Sequence, residues 1–157
     1  MRFKLEMLLN KPRLAVWQAF EDAGNLKKWQ TTLVNIENIS GTPGQVGSVT
    51  RLFYNARERE YALLEKIIQR AEPNNLHAVY ENNFAENTLK NTFIEQGTGQ
   101  TLWVLENEFK FKTLLMKVMG NVLKKNYVRR TQRDMQRFKE MLESESSLHP
   151  NRNLRLI

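Results

Sequence analysis

Imidazole chemistry is available in this chain only at His77 and His149, and cysteine is absent. Thiolate nucleophiles, thiolate metal ligands and disulfides are therefore excluded. A transition-metal site would need carboxylates beside these histidines, and no carboxylate/histidine cluster has ligand spacing. Ser40, Ser48, Ser144, Ser146 and Ser147 stand in turn-like or tail-like sequence with no paired base, so no activated nucleophile emerges. The run GTPGQVGS lacks the lysine and following helix of a phosphate-binding loop. None of these patterns calls for a cofactor or a metal. One acid, Glu65, sits in a segment with strand character; it suits a general acid or base if it faces inward, and solvent if it does not. Asn82, Asn91 and Asn107 interrupt otherwise apolar faces. A buried amide must find a partner or cost a few kcal/mol, roughly. They read either as a polar patch that orients a ligand head group or as strand-end residues bonded to backbone and water.

The elements that must hold these groups follow from periodicity. Phe3, Leu5, Met7 and Leu9 alternate with Arg2, Lys4 and Glu6, the pattern of a half-buried strand. Asn10 before Lys11-Pro12 signals a helix start. Leu14, Val16, Trp17 and Phe20 form its stripe, and Gly24 is expected to end it. A second short helix, near Asn25–Thr31, would turn Leu26 and Trp29 inward. From Leu33 to Phe111 the chain reads as strands, with turns at Gly41–Gly44, Asn55-Ala56, Pro73–Asn75, Ala85–Asn87 and Gly97–Gly99, the spacing of an antiparallel meander. Between Glu58 and Ala71, Tyr61, Leu63 and Ile67 compete with Ala62, Leu64 and Ile68 for the inner face, which a bulge or two-sided burial would explain. From Thr113 to about Glu143 the period turns helical. Leu115, Val118, Met119, Val122, Leu123, Tyr127, Thr131, Met135, Phe138, Met141 and Leu142 share one face, with Lys117, Lys124, Lys125, Arg129, Arg130, Arg133 and Arg137 mostly elsewhere. Gly120 interrupts this helix and marks a bend, a clearance for a ligand, or a tolerated surface position.

Net charge is +7, and it is concentrated: ten of the Lys and Arg residues fall between Lys110 and Lys139, against the single acid Asp134. That basic face suits plain solvation, docking on an anionic membrane surface, or contact with nucleic acid. Base-stacking aromatics are not interleaved with the charges, which argues against specific RNA reading. No window is long and apolar enough for a membrane span and the N-terminal run alternates, so a soluble, cytoplasmic protein is expected. One domain over residues 1–143 and a mobile tail over 144–157 account for the length. Oligomeric state is not readable.

The order strand, two short helices, six strands, long helix implies an α+β fold. A curved antiparallel sheet of about seven strands wraps a long C-terminal helix and needs that helix to cover its apolar face. The run PRLAVWQAFEDAGNLKKWQTTLVNIENISGTPGQVGSV resembles the opening of the START-related helix-grip superfamily (SRPBCC), of the polyketide cyclase/dehydratase and lipid-transport type. Pro12, Val16, Trp17, Phe20, Asp22, Leu26, Trp29, Gly44 and Gly47 carry the likeness. Glu65 to Pro73 is similar to its mid-domain strand and turn, and FKTLLMKVMGNVLKKN…MQRFKEMLE to its closing helix. The resemblance covers about residues 1–143 and implies an apolar ligand pocket, in a superfamily that includes lipid carriers, hormone and quinone binders, aromatase/cyclases and co-chaperone activators. Its expected walls are Tyr80, Phe84, Phe93, Trp103, Leu105 and Phe109 on the sheet and Met116, Met119, Leu123 and Tyr127 on the helix, with Asn82, Asn91 and Asn107 as polar contacts. The leading expectation is non-enzymatic binding or transport of a small hydrophobic or amphipathic ligand: a lipid, isoprenoid, quinone or polyketide-like compound. A cyclase/dehydratase-like enzyme using Glu65 or a tyrosine, and an interaction protein acting through the basic helix, are the alternatives.

Overall fold

The structure, a computed structural model, describes residues 1–144. β1 (Arg2–Leu9) leads into α1 (Arg13–Glu21) and α2 (Ala23–Trp29). Six strands follow: β2 (Leu33–Ser40), β3 (Val49–Ala56), β4 (Arg59–Ala71), β5 (Asn75–Glu81), β6 (Ala85–Glu95) and β7 (Thr101–Phe111). Two helices follow among the described residues, α3 (Leu114–Val118) and α4 (Gly120–Ser144). The strands form one seven-stranded antiparallel sheet in the order β1-β7-β6-β5-β4-β3-β2. Every step from β2 to β7 is thus a hairpin between neighbours, and α1 and α2 carry the chain from one sheet edge to the other.

The local chemistry explains the boundaries, including those that differ from the sequence reading. Asp22, not Gly24, separates the first two helices: it is the extended residue between them, and its carboxylate accepts from the Gly24 N–H at 2.7 Å. Gly24 therefore lies inside α2. The β3–β4 turn sits at Arg57 and Glu58, both with positive φ (53° and 61°), immediately after the expected Asn55-Ala56. Twist-matched hairpin turns need two such residues, and glycine or asparagine is the usual choice. The β5–β6 turn is set by Asn82, whose side-chain oxygen accepts from the N–H groups of Phe84 and Ala85, each at 2.9 Å. Ala85–Asn87 are consequently strand and not turn. In β4 the odd-numbered set faces inward. A register shift between Ile67 and Gln69 absorbs Ile68, which is the bulge that the competing faces required.

The closing helix is not continuous. Thr113 caps α3, accepting from the Met116 N–H at 3.3 Å, and the chain breaks at Met119 before α4 begins. Gly120 lies at that break. A Cβ there would meet the Phe111 ring at an ordinary 3.9 Å, so low helix propensity and not clearance is its role. The second half of α4 grips the sheet. Met135, Phe138 and Leu142 are buried with Leu9, Val16, Trp17, Trp29, Phe93 and Trp103 in one core. Phe138 is fully buried and meets Phe20, Trp29 and Trp103 edge-on at 5.3–5.9 Å. This end is solid. A smaller cluster of Leu33, Leu52 and Tyr54 seals the β2–β3 edge. The expected tail beyond Ser144 lies outside the described residues.

Candidate functional site

Between the solid end and the β2–β3 edge the sheet and α4 stand apart, leaving a hollow of about 1470 Å³. Its apolar wall includes Leu52, Leu63, Ala78, Leu89, Leu105 and Phe109. Its lining reaches two rims, the β2–β3 loop at Pro43–Gln45 and the β5–β6 turn at Asn82–Ala85. At the first rim Arg70 ties the elements together, pairing with Glu21 of α1 and donating to the Gly44 carbonyl at 3.2 Å.

A polar row crosses the floor of this hollow. Cross-strand register places Thr50 opposite Glu65, Glu65 opposite Tyr80, and Tyr80 opposite Asn87. Paired residues project to the same face of a sheet, so these four line up over β3 to β6. The Tyr80 hydroxyl donates to Glu65 Oε2 at 2.5 Å, and Asn87 donates to Asn107 Oδ1 at 3.1 Å. Glu65 and Tyr80 keep accessible surface only because they face the hollow, and protein surrounds them. Burial pushes the Glu65 carboxyl above its usual range, partly opposed by the Tyr80 hydrogen bond. Burial and the neighbouring carboxylate together push the Tyr80 phenol well up. The pair holds its proton more tightly than either group would in water.

The roof supplies a counterpart. Arg130 of α4 turns inward, donating to the Tyr61 hydroxyl and to Thr32 Oγ1 at 3.0 Å, with its guanidinium 5.2 Å from the Tyr54 ring centre. Asp134, one turn on, has its carboxyl pushed up by burial and drawn back by Arg130. Tyr54 in turn donates to Gln30 Oε1 at 2.9 Å. The hollow therefore has an acid–phenol pole on the sheet, a cationic pole under the helix, a mainly apolar wall between them and polar side chains at its rims. Among the described residues no group of three or more histidines and acids could hold a metal ion.

A seven-stranded meander with two short helices after β1 and a long helix across its concave face decides the architecture. This is the helix-grip fold. Solved structures agree: a START superfamily protein from Mycobacterium smegmatis has a TM-score of 0.76 at 11% identity, over 91% of this chain and 97% of that one. The Zhui aromatase/cyclase of a Streptomyces species has a TM-score of 0.77 at 12% identity, over 96% of both chains. Ara h 8.0201 has a TM-score of 0.69 at 18% identity, over 92% of this chain and 98% of that one. No family model and no curated protein matches the sequence. The helix-grip likeness read from residues 12–49 thus holds for the fold, at identities that speak to fold alone.

Within the helix-grip frame, Tyr80, Asn82, Phe84, Asn91, Trp103, Leu105, Asn107, Phe109 and Tyr127 line the hollow. Phe93 is buried in the aromatic core. Met116, Met119 and Leu123 do not line the hollow; Met119 is exposed at the helix break, and Met116 and Leu123 are half-buried beside it. The three asparagines are not one patch. Asn82 shapes a turn, Asn91 accepts from the Trp103 indole at 3.0 Å, and only Asn107 joins the polar row. Thr50, Tyr54, Asn87 and Arg130 were not expected at the site. The parity of Leu89, Asn91 and Phe93 extends to Asn87 and was a usable signal; nothing in the helical pattern distinguishes Arg130 from its basic neighbours. His77 faces away from the hollow, half-exposed, with its imidazole pKa lowered by burial and by Lys90.

Proposed function

We propose that this chain binds and carries a small amphipathic molecule in the hollow between sheet and α4, without transforming it. The observation that carries this reading is the volume. About 1470 Å³ exceeds the roughly 300–1,000 Å³ of ordinary small-molecule sites and suits a long or polycyclic body such as a lipid, isoprenoid, quinone or polyketide-like compound. Apolar burial would supply affinity at roughly 25 cal/mol per Å². Glu65, Tyr80, Asn87 and Asn107 would orient a hydroxyl or carbonyl head group. The START-superfamily likeness supports such a ligand class, and a cytoplasmic setting is part of the same proposal. Native mass spectrometry of freshly purified full-length protein tests it. The expected result is a non-covalent adduct of a few hundred daltons, or uptake of one long-chain alcohol or quinone per chain when offered. Apo protein that takes up none of these overturns the reading.

The Glu65–Tyr80 pair supports one alternative, a cyclase/dehydratase-like enzyme in which the carboxyl and the phenol serve proton transfer at a carbonyl. The likeness to an aromatase/cyclase points the same way. Glu65→Gln separates the two readings. A carrier keeps uptake with altered selectivity, whereas an enzyme turning over a polyketide-like substrate keeps binding and loses turnover.

A further inference from the structure

The helix face expected to cover the sheet instead projects into solvent at its first turns. Leu114, Leu115, Val118 and Val122 are 77%, 67%, 77% and 61% exposed. All of α3 lacks a buried residue. Phe84 is 55% exposed on the neighbouring β5–β6 turn, which is tied to the start of this segment where its carbonyl accepts from the Lys112 N–H at 2.9 Å. Contiguous apolar surface of this kind marks an interaction site. Its rim is basic. From Lys112 to Arg133 the chain carries no acidic residue and exposes Lys112, Lys117, Lys124, Lys125, Arg129 and Arg133, while Arg130 turns inward. A groove of about 630 Å³ beside the patch is lined by Arg2, Lys110, Lys117 and Lys124 with no acidic side chain. Arg2 and Lys110 pair outward with Glu108 and Glu86. Lys117 and Lys124 make no ion pair among the described residues.

We propose that α3 and the first turns of α4 dock on an anionic lipid bilayer, with Leu114, Leu115, Val118 and Val122 entering the interface and Lys117, Lys124 and Lys125 meeting the head groups. An amphipathic helix with a basic flank partitions in this way, by apolar burial plus attraction to anionic lipid. A protein partner would need an acidic rim around an apolar socket. The bilayer supplies both chemistries over any area, which suits lysines spread along two helices without a converging geometry. Docking would also bring the β5–β6 rim of the hollow to the membrane, because Lys112 joins that turn to α3 through the Asn82 carbonyl at 2.8 Å and Glu81 at 2.6 Å. The docking surface does not depend on the hollow holding a ligand.

The test is co-sedimentation of full-length protein with extruded vesicles of phosphatidylcholine alone or with phosphatidylserine, at low and high salt. Binding to the serine-containing vesicles is expected, weakening with salt, and little to phosphatidylcholine alone. Leu114→Asn with Val118→Asn should lower partitioning at least tenfold per site, and Lys117→Gln with Lys124→Gln about fivefold per site. Both pairs alter exposed positions, so thermal melts should match the parent chain. Absence of binding to anionic vesicles, or binding indifferent to the apolar pair, overturns the proposal. So does concentration-dependent dimerisation abolished by Leu114→Asn with Val118→Asn, which would assign the patch to a second copy. A salt-dependent RNA shift without vesicle binding overturns it as well.

Discussion

Replacing Arg130 with Met should destabilise the chain by about 2 kcal/mol. The guanidinium makes a hydrogen bond to Thr32 at 3.0 Å and another to Tyr61, and lies 5.2 and 5.7 Å from the Tyr54 and Tyr61 rings. Charged hydrogen bonds contribute roughly 1.5–3 kcal/mol each, and partly exposed cation–π contacts about 0.5–1. Against this gross gain stands the several kcal/mol, roughly, of desolvating a cation. The sum leaves a modest net loss, to which the weaker compensation of the Asp134 carboxylate, left with Arg137 at 3.1 Å, adds. Methionine keeps the aliphatic volume, so packing is not the variable. Tyr61→Phe should cost about 1 kcal/mol, and the double variant should show a coupling of about 1 kcal/mol, within the range for contacting residues. Without Arg130 the Asp134 carboxyl, raised by burial, is drawn back only by Arg137, at 3.1 Å, and by Arg133. An acid with a raised folded pKa is penalised for ionising, so the loss should deepen as pH rises above the ordinary Asp range. Urea titrations at several pH values, with unchanged m-values, measure all of this. A loss under about 0.5 kcal/mol with no coupling would place Arg130 in solvent with its neighbours and refute the cationic roof.

Glu65→Gln should raise stability at pH 8 relative to pH 4. Burial raises the folded pKa of Glu65 above the ordinary carboxylate range. The ionisation penalty is absent below the unfolded pKa and full above the folded one, and glutamine removes it while still accepting from Tyr80. Melting temperatures across that range decide, and a pH-independent difference would contradict the assignment. Phe138→Ala should cost about 3–5 kcal/mol in urea unfolding, as a fully buried ring removed from a solid cluster; a loss under about 1 kcal/mol would mean the grip of α4 lies elsewhere. Arg57→Asn with Glu58→Gly should gain roughly 1–2 kcal/mol, since both positions are left-handed; a loss would show that this turn has another geometry in solution.

The fold was legible wherever a side chain's burial depends on local period alone. The alternation from Phe3 to Leu9, the stripe of Trp17 and Phe20, and the competing faces of β4 all found their places, the last through the bulge at Ile68. The turn at Asn82 was placed late because Ala85-Glu86-Asn87 looks turn-like by composition, while the deciding feature is one side-chain oxygen meeting two backbone donors. Period also cannot say where a helix outruns its sheet. Leu115, Val118 and Val122 belong by spacing to the same face as Phe138, yet the break at Met119 leaves them in solvent. The polar row depended on register between distant strands: Glu65 and Tyr80 lie fifteen positions apart and meet only because β4 and β5 pair as they do. Arg130 was hidden among basic neighbours, and only the positions of Tyr61 and Thr32 draw it inward.

Whether the hollow admits an apolar body is tested most directly by titration with anilinonaphthalene sulfonate, excited through the tryptophans. Trp29 and Trp103 line the hollow. One probe per chain is expected, with efficient energy transfer, displacement by a long-chain alcohol, and weakening in Ala78→Trp and Leu89→Trp but not in Leu114→Asn with Val118→Asn. Binding that disappears with the α3 substitutions and ignores the two interior ones would place the probe on the outer patch and contradict an accessible interior site.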